Sequence, residues 1–147
     1  MPLAGTLLVL KVVEERLLTP RGLRTLAPDD PKFIGRFGGP PSERDRAYHQ
    51  GMVWPFLLGP YISALVRLRG ERGRAEALRL VVEFEPHLAE AGVGTISEVF
   101  DPFPPYTPRG CIAQAWSVAE FLRVMSEDLG IVARRRPPVS EKSVRCD

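Results

Sequence analysis

Residues 19–46 and 92–111 hold nine of the fifteen prolines in the 147-residue chain, and they constrain the fold more than any other feature. Proline lacks an N–H donor and crowds the turn before it, so no regular helix runs through such a stretch. Both segments are also far longer than the roughly two to eight residues usual between packed helices. Proline stiffens a loop into one shape where a Gly/Ser linker stays fluid. Long, shaped loops on a rigid frame commonly carry function.

Between them, apolar residues recur every three or four positions, and this spacing predicts four helices. The first covers residues 4–18, with Leu3, Leu7, Leu10, Val13 and Leu17 on one stripe. The second covers 53–69 and stops at Gly70. The third covers 71–91, is disturbed at Pro86 and stops at Gly92. The fourth covers 112–129 and stops at Gly130. Few stretches alternate with period two, so strands are expected to be short or absent, and the fold class is read as all-α. No fixed-period repeat argues for a solenoid.

Bulk properties narrow the function. At 16.4 kDa and 44% hydrophobic residues the chain is one ordinary domain with a real core. Residues 131–147 carry a net charge of +3 and the preceding 130 carry −1. A nucleic-acid-binding domain concentrates its basic excess on a folded face, so nucleic acid is not the expected partner. The tail, with "ARRRPPVSEKS", reads as a solvated, disordered end, leaving 1–130 as the domain. Cys111 and Cys146 form neither a CxxC nor a zinc spacing, so no metal or other cofactor is expected. A reducing cytosol is the simplest compartment. "MPLAGTLLVLKVV" lacks the basic start of a signal peptide, and no stretch is long enough to span a bilayer.

Each long loop carries polar groups in apolar company. The first delivers Arg44, Asp45, Arg46, Tyr48, His49 and Gln50 to the start of a helix beginning "VWPFLLGP". Pro55 suits a first helical turn, and Tyr48 and Trp54 fit rim packing. The neighbouring His and Gln fit that reading poorly, because each needs hydrogen-bond partners once buried. A sugar-binding wall needs both features: rings for C–H faces, and amide or imidazole groups for hydroxyls. In the second loop, Glu98 lies between Ile96 and Val99, beside Phe100 and Asp101. A carboxylate in apolar company loses solvation and is suited to proton transfer. The competing reading pairs Glu98 with Arg109 or Arg44 as a structural contact. His87, beside Pro86, reads as exposed, and Cys111 as a small buried apolar residue.

Four segments, "GLRTLAPDDPKFIGRFGG", "YHQGMVWPFLLGP", "GTISEVFD" and "PRGCIAQAWSVAEFLR", resemble in order and spacing the C-terminal end of the amylo-α-1,6-glucosidase domain of glycogen debranching enzymes. The resemblance runs over about residues 14–124. It implies an (α/α)6 barrel with a sugar site in a loop-lined funnel, of which this chain is a partial copy with about four long helices. It implies inverting hydrolysis of the α-1,6-linked glucose at a branch point of glycogen or a similar α-glucan. Glu98 falls on the family's general base. Tyr48, His49, Gln50 and Trp54, with Arg109, fall on its sugar-binding wall.

Inversion needs a second carboxyl group roughly 6.5–9.5 Å from the first. In the family that general acid lies upstream, and Asp29, Asp30, Asp45 and Asp101 stand in motifs that do not match it. Three expectations follow. The chain is the C-terminal part of a split or truncated enzyme working beside an upstream barrel half. Or it is a non-catalytic glucan binder. Or it is a helical interaction module whose apolar faces pair with a partner or with a second copy.

Overall fold

The computed structural model describes residues 3–131, so the expected basic tail and Cys146 lie outside the described residues. The longest element is α3, Leu58–Phe84, and it is broken at Gly70. Gly70 adopts φ 56°, ψ −132°, a left-handed conformation that glycine reaches without the clash of a Cβ. The second half then turns back sharply enough that Gly73 lies against the Leu65 carbonyl. The expected second and third helices are these two halves.

Around α3 pack α1 (Leu3–Arg16) and α4 (Ala115–Arg123), the latter continuing into a π-helical turn, Val124–Asp128. Leu58, Tyr61, Ile62, Leu65, Ala77 and Phe84 of α3 meet Leu10 of α1 and Phe121 of α4 in one buried cluster. A short α2, Pro41–Tyr48, begins inside the expected first loop and runs two residues past its end. Its sequence PSERDRAY buries only Ala47, so it carries no apolar stripe to betray it, although Pro41 stands at a favoured first-turn position.

The all-α expectation is corrected by five very short strands. They are β1 (Leu18–Thr19), β2 (Gly22–Arg24), β3 (Val53–Trp54), β4 (Val99–Phe100) and β5 (Pro108–Arg109). They pair antiparallel in chain order, β1-β2-β3-β4-β5. Strands of two or three residues show no alternation in a sequence, which is why periodicity missed them. Their register, Leu23↔Trp54, Arg24↔Val53 and Val53↔Phe100, fastens both proline-rich segments to the start of α3. A 3₁₀ turn, Pro55–Leu57, joins β3 to α3, so Trp54 sits on a strand and not in the first turn of a helix.

Candidate active site

The sheet brings a wall of rings and a carboxylate together. Tyr48 closes α2, His49 follows it, and Trp54 returns on β3. The Tyr48 ring stands edge-on to both, 4.7 Å from His49 and 4.7 Å from Trp54. The His49 imidazole lies parallel to the Trp54 indole, 7° between planes at 5.6 Å. Trp54 Nε1 donates to the Tyr48 carbonyl at 3.1 Å, which ties the strand to the helix end. Trp54 is only 3% exposed, whereas His49 is open to solvent. Trp116 of α4, 48% exposed, extends the wall from 5.7 Å beyond Trp54 and 4.9 Å from Phe56.

Glu98 stands just before β4 and meets this wall through its carboxylate. Oε1 accepts from the Tyr48 hydroxyl and from Gln114 Nε2 at 3.1 Å. Oε2 accepts the Cys111 N–H at 3.0 Å. Burial, then the bond to Glu98, pushes the Tyr48 pKa upward, so the phenol keeps its proton and acts as donor. A carboxylate has about four acceptor positions, and three donors leave room for one more hydrogen bond. The approach to Oε2 is kept by Gly110, at φ 70°, where a Cβ would come within 2.2 Å of that oxygen.

Arg109, on β5, forms a fork to Asp101 and not to Glu98: its Nε and Nη2 lie 3.0 and 2.8 Å from Asp101 Oδ2. Asp101 Oδ1 takes the Phe37 N–H at 3.2 Å, joining the second loop to the first. Arg24 adds a second tie, its Nε and Nη2 donating to the Pro102 carbonyl at 3.0 and 2.9 Å. Gln50 is held by its backbone, its carbonyl accepting the Ile34 N–H at 2.7 Å. Its side-chain amide makes no hydrogen bond among the described residues.

With both loops and the carboxylate in place, one comparison is decisive. A family model described as amylo-alpha-1,6-glucosidase matches residues 5–123. The chain belongs to the amylo-alpha-1,6-glucosidase family.

Of the residues that the family resemblance singled out, the structure gathers Tyr48, His49, Trp54 and Glu98 at one place. Arg109 stands nearby but is spent on Asp101, so the structural pairing of Glu98 with Arg109 or Arg44 is not found. The aromatic cluster belongs to the end of α2 and to β3, a correction to its expected place at the start of a helix. Two further readings are overturned. Cys111 is exposed, because its backbone and not its thiol is what the loop uses. His87 is fully buried, enclosed by Phe84 and by Phe100 from a different part of the chain.

Sequence reasoning on single residues passed over Gln114, Trp116 and Arg24. Gln114 had a visible signal: it stands directly before α4 in the amylo-alpha-1,6-glucosidase motif segment "PRGCIAQAWS". Among the described residues no group of three or more His, Cys, Asp or Glu is placed to hold a metal ion. Among them, too, no helix is long and apolar enough to cross a membrane.

Proposed function

We propose that this chain supplies the general base and part of the sugar-binding wall for inverting hydrolysis of α-1,6-linked glucose at branch points of glycogen or a related α-glucan. The observation that carries this reading is the Glu98 carboxylate, fixed by Tyr48, Gln114 and the Cys111 amide beside a ring wall. Its remaining acceptor position, on Oε2, takes a water and draws a proton from it as the oxygen attacks the anomeric carbon. Tyr48 and Gln114 hold the base at a fixed angle without competing for that lone pair.

The exposed face of His49, backed by the enclosed Trp54 indole, and the Trp116 ring offer surfaces for the C–H faces of glucose. The Gln50 amide and the His49 imidazole offer donors and acceptors for its hydroxyls. Arg109 then acts through Asp101, keeping both loops in register around the sugar. The leaving oxygen must be protonated by a second carboxyl group, roughly 6.5–9.5 Å from the first. Asp101 is committed to Arg109 and Phe37, so we assign the acid to a separate segment of a larger (α/α)6 barrel.

A helical interaction module is the second reading, favoured by Leu8, Val9 and Leu122, which lie exposed on α1 and α4. The two readings part on one assay, glucose release from a branched limit dextrin by the chain together with a polypeptide supplying the remaining barrel helices. Glu98→Gln keeps the shape and removes the base, and release is expected to fall on the order of 10²–10⁴-fold with sugar binding retained. Full release by Glu98→Gln would dismiss Glu98 as the base.

A further inference from the structure

His87 touches none of the groups placed around the sugar, yet it is the most completely bonded imidazole of the chain. It lies in the 3₁₀ turn Glu85–Ala89 that follows α3 and is 0% exposed. The Phe84 and Phe100 rings stand edge-on to it at 5.5 and 4.6 Å. Nε2 accepts the Ser97 N–H at 3.1 Å, and Nδ1 lies 2.9 Å from Glu90 Oε2. An amide N–H can only donate, so Nε2 carries the lone pair and Nδ1 the proton. The two bonds together fix one neutral tautomer.

Ser97 is the residue before Glu98, and the segment is held from alternate sides. The Ile96 carbonyl accepts the Gln114 N–H at 2.8 Å, and the Glu98 N–H donates to the Cys111 carbonyl at 2.9 Å. The Ser97 N–H points the other way, to His87. The buried Ser97 hydroxyl has no hydrogen-bond partner among the described residues, so the side chain adds no hold of its own.

We propose that His87 is a positioning residue of this site: its buried neutral imidazole grips the Ser97 amide, fixes the Glu98 carboxylate against Tyr48 and Gln114, and makes sugar binding depend on pH without touching sugar. The proposal rests on the role given above to Glu98. Two charged side chains face the imidazole. Glu90 lies on the same turn, and Arg21 comes from the β1–β2 hairpin, its Nη2 3.7 Å from Glu90 Oε2 and its Nη1 3.3 Å from the Phe84 carbonyl. Among the described residues, α3 and β4 present to it the rings of Phe84 and Phe100.

Burial pushes the His87 pKa below 6.5, the Glu90 bond opposes that shift, and Arg21 adds to it. When the proton does arrive at Nε2, donor meets donor, the Ser97 bond is lost, and the segment before β4 is freed on that side.

The test uses the full chain labelled with nitrogen-15, whose two histidines give a simple ring spectrum. Between about pH 7.5 and about pH 5, the protection of the Ser97 amide, its exchange rate taken relative to the intrinsic rate at each pH, should fall and the Gln114 side-chain amide should shift, both with the midpoint of the His87 ring nitrogens. His87→Gln places an amide oxygen near the Nε2 position without titrating, and should keep Ser97 protected with no pH step. His87→Phe keeps the bulk and removes the acceptor, and should speed Ser97 exchange about tenfold at every pH, the scale of one buried hydrogen bond. Affinity for glucono-δ-lactam, an uncharged glucose-shaped probe, should fall with the His87 titration, stay flat in His87→Gln and drop about tenfold in His87→Phe. Ser97 exchange unchanged in His87→Phe, or a pH step that persists in His87→Gln, overturns the proposal even if His87→Phe folds poorly. A probe that binds none of the three proteins, while Ser97 and Gln114 still follow His87, removes the sugar-site reading and leaves the positioning standing.

Discussion

At the sheet end, Glu98, Asp101 and Arg24 find partners in other segments of the chain, and Arg109 pairs with Asp101 of its own loop. On the outer faces of α1 and α4, Leu8, Val9 and Leu122 stand 63%, 62% and 62% exposed. The two regions follow different physics. A buried or half-buried polar group needs a directional partner within hydrogen-bond reach, and here the chain provides one. An apolar face needs only covered area, and any surface of the right shape serves. The polar groups that hold the sheet end together are therefore met from within the chain, whereas the helix faces are suited to a neighbour.

Phe84→Ala breaks the comparison most sharply, because Phe84 is fully buried and touches His87, Phe100 and Phe121 together. Its loss should cost roughly 3–5 kcal/mol in denaturant unfolding and weaken both regions at once. Gly110→Ala acts on the sheet end alone. A left-handed backbone and a Cβ driven toward Glu98 Oε2 should cost roughly 1–3 kcal/mol. Glucono-δ-lactam binding should fall with it, while helix content measured by circular dichroism stays unchanged.

Acid sharpens the contrast further. His87 has a lowered native pKa, so above about pH 6.5 it is neutral in both folded and unfolded chains. As pH falls through that value the unfolded chain takes a proton that the native state refuses, and stability declines until the native pKa is passed. The denaturation midpoint should fall over that window, and His87→Gln should flatten this part of the profile. The smallest effect belongs to the helix face. Leu8→Glu with Val9→Lys should change stability by no more than about 0.5 kcal/mol. Any concentration-dependent growth in sedimentation coefficient should nevertheless disappear, since that growth would come from the exposed stripe of α1.

The helices were legible because their signals are local. Gly70 interrupts an apolar period that runs on either side of it, and α1 and α4, the latter counted with its π-helical turn, lie within three residues of their expected bounds. The grouping of Tyr48, His49, Trp54 and Glu98 was legible through motif order, since they stand in segments that a family resemblance ties together and the structure brings them to one place. What stayed hidden depends on contacts between distant parts of the chain. His87 sits in the polar run "EPHLAE" and looks solvated until Phe100, thirteen residues on, closes over it. Arg109 is drawn to Asp101 across the β4–β5 pairing, in which Val99 faces Arg109, and strands of two residues give no periodic warning. α2 was invisible for the opposite reason: it is polar nearly all round and buries a single alanine.

Those two-residue strands also say something about time. The Tyr48–Glu98 bond joins residues 50 positions apart, and the Arg24 clamp on Pro102 joins residues 78 apart. Closing such loops costs entropy before any contact repays it, and topologies rich in distant pairings fold slowly for that reason. The α3 hairpin, whose halves are neighbours in the chain, has no such delay. A nascent chain would thus carry the helices α1 and α3 while still lacking any site, until residues 98–114 have emerged and β4, β5 and Gln114 can be added to the sheet end.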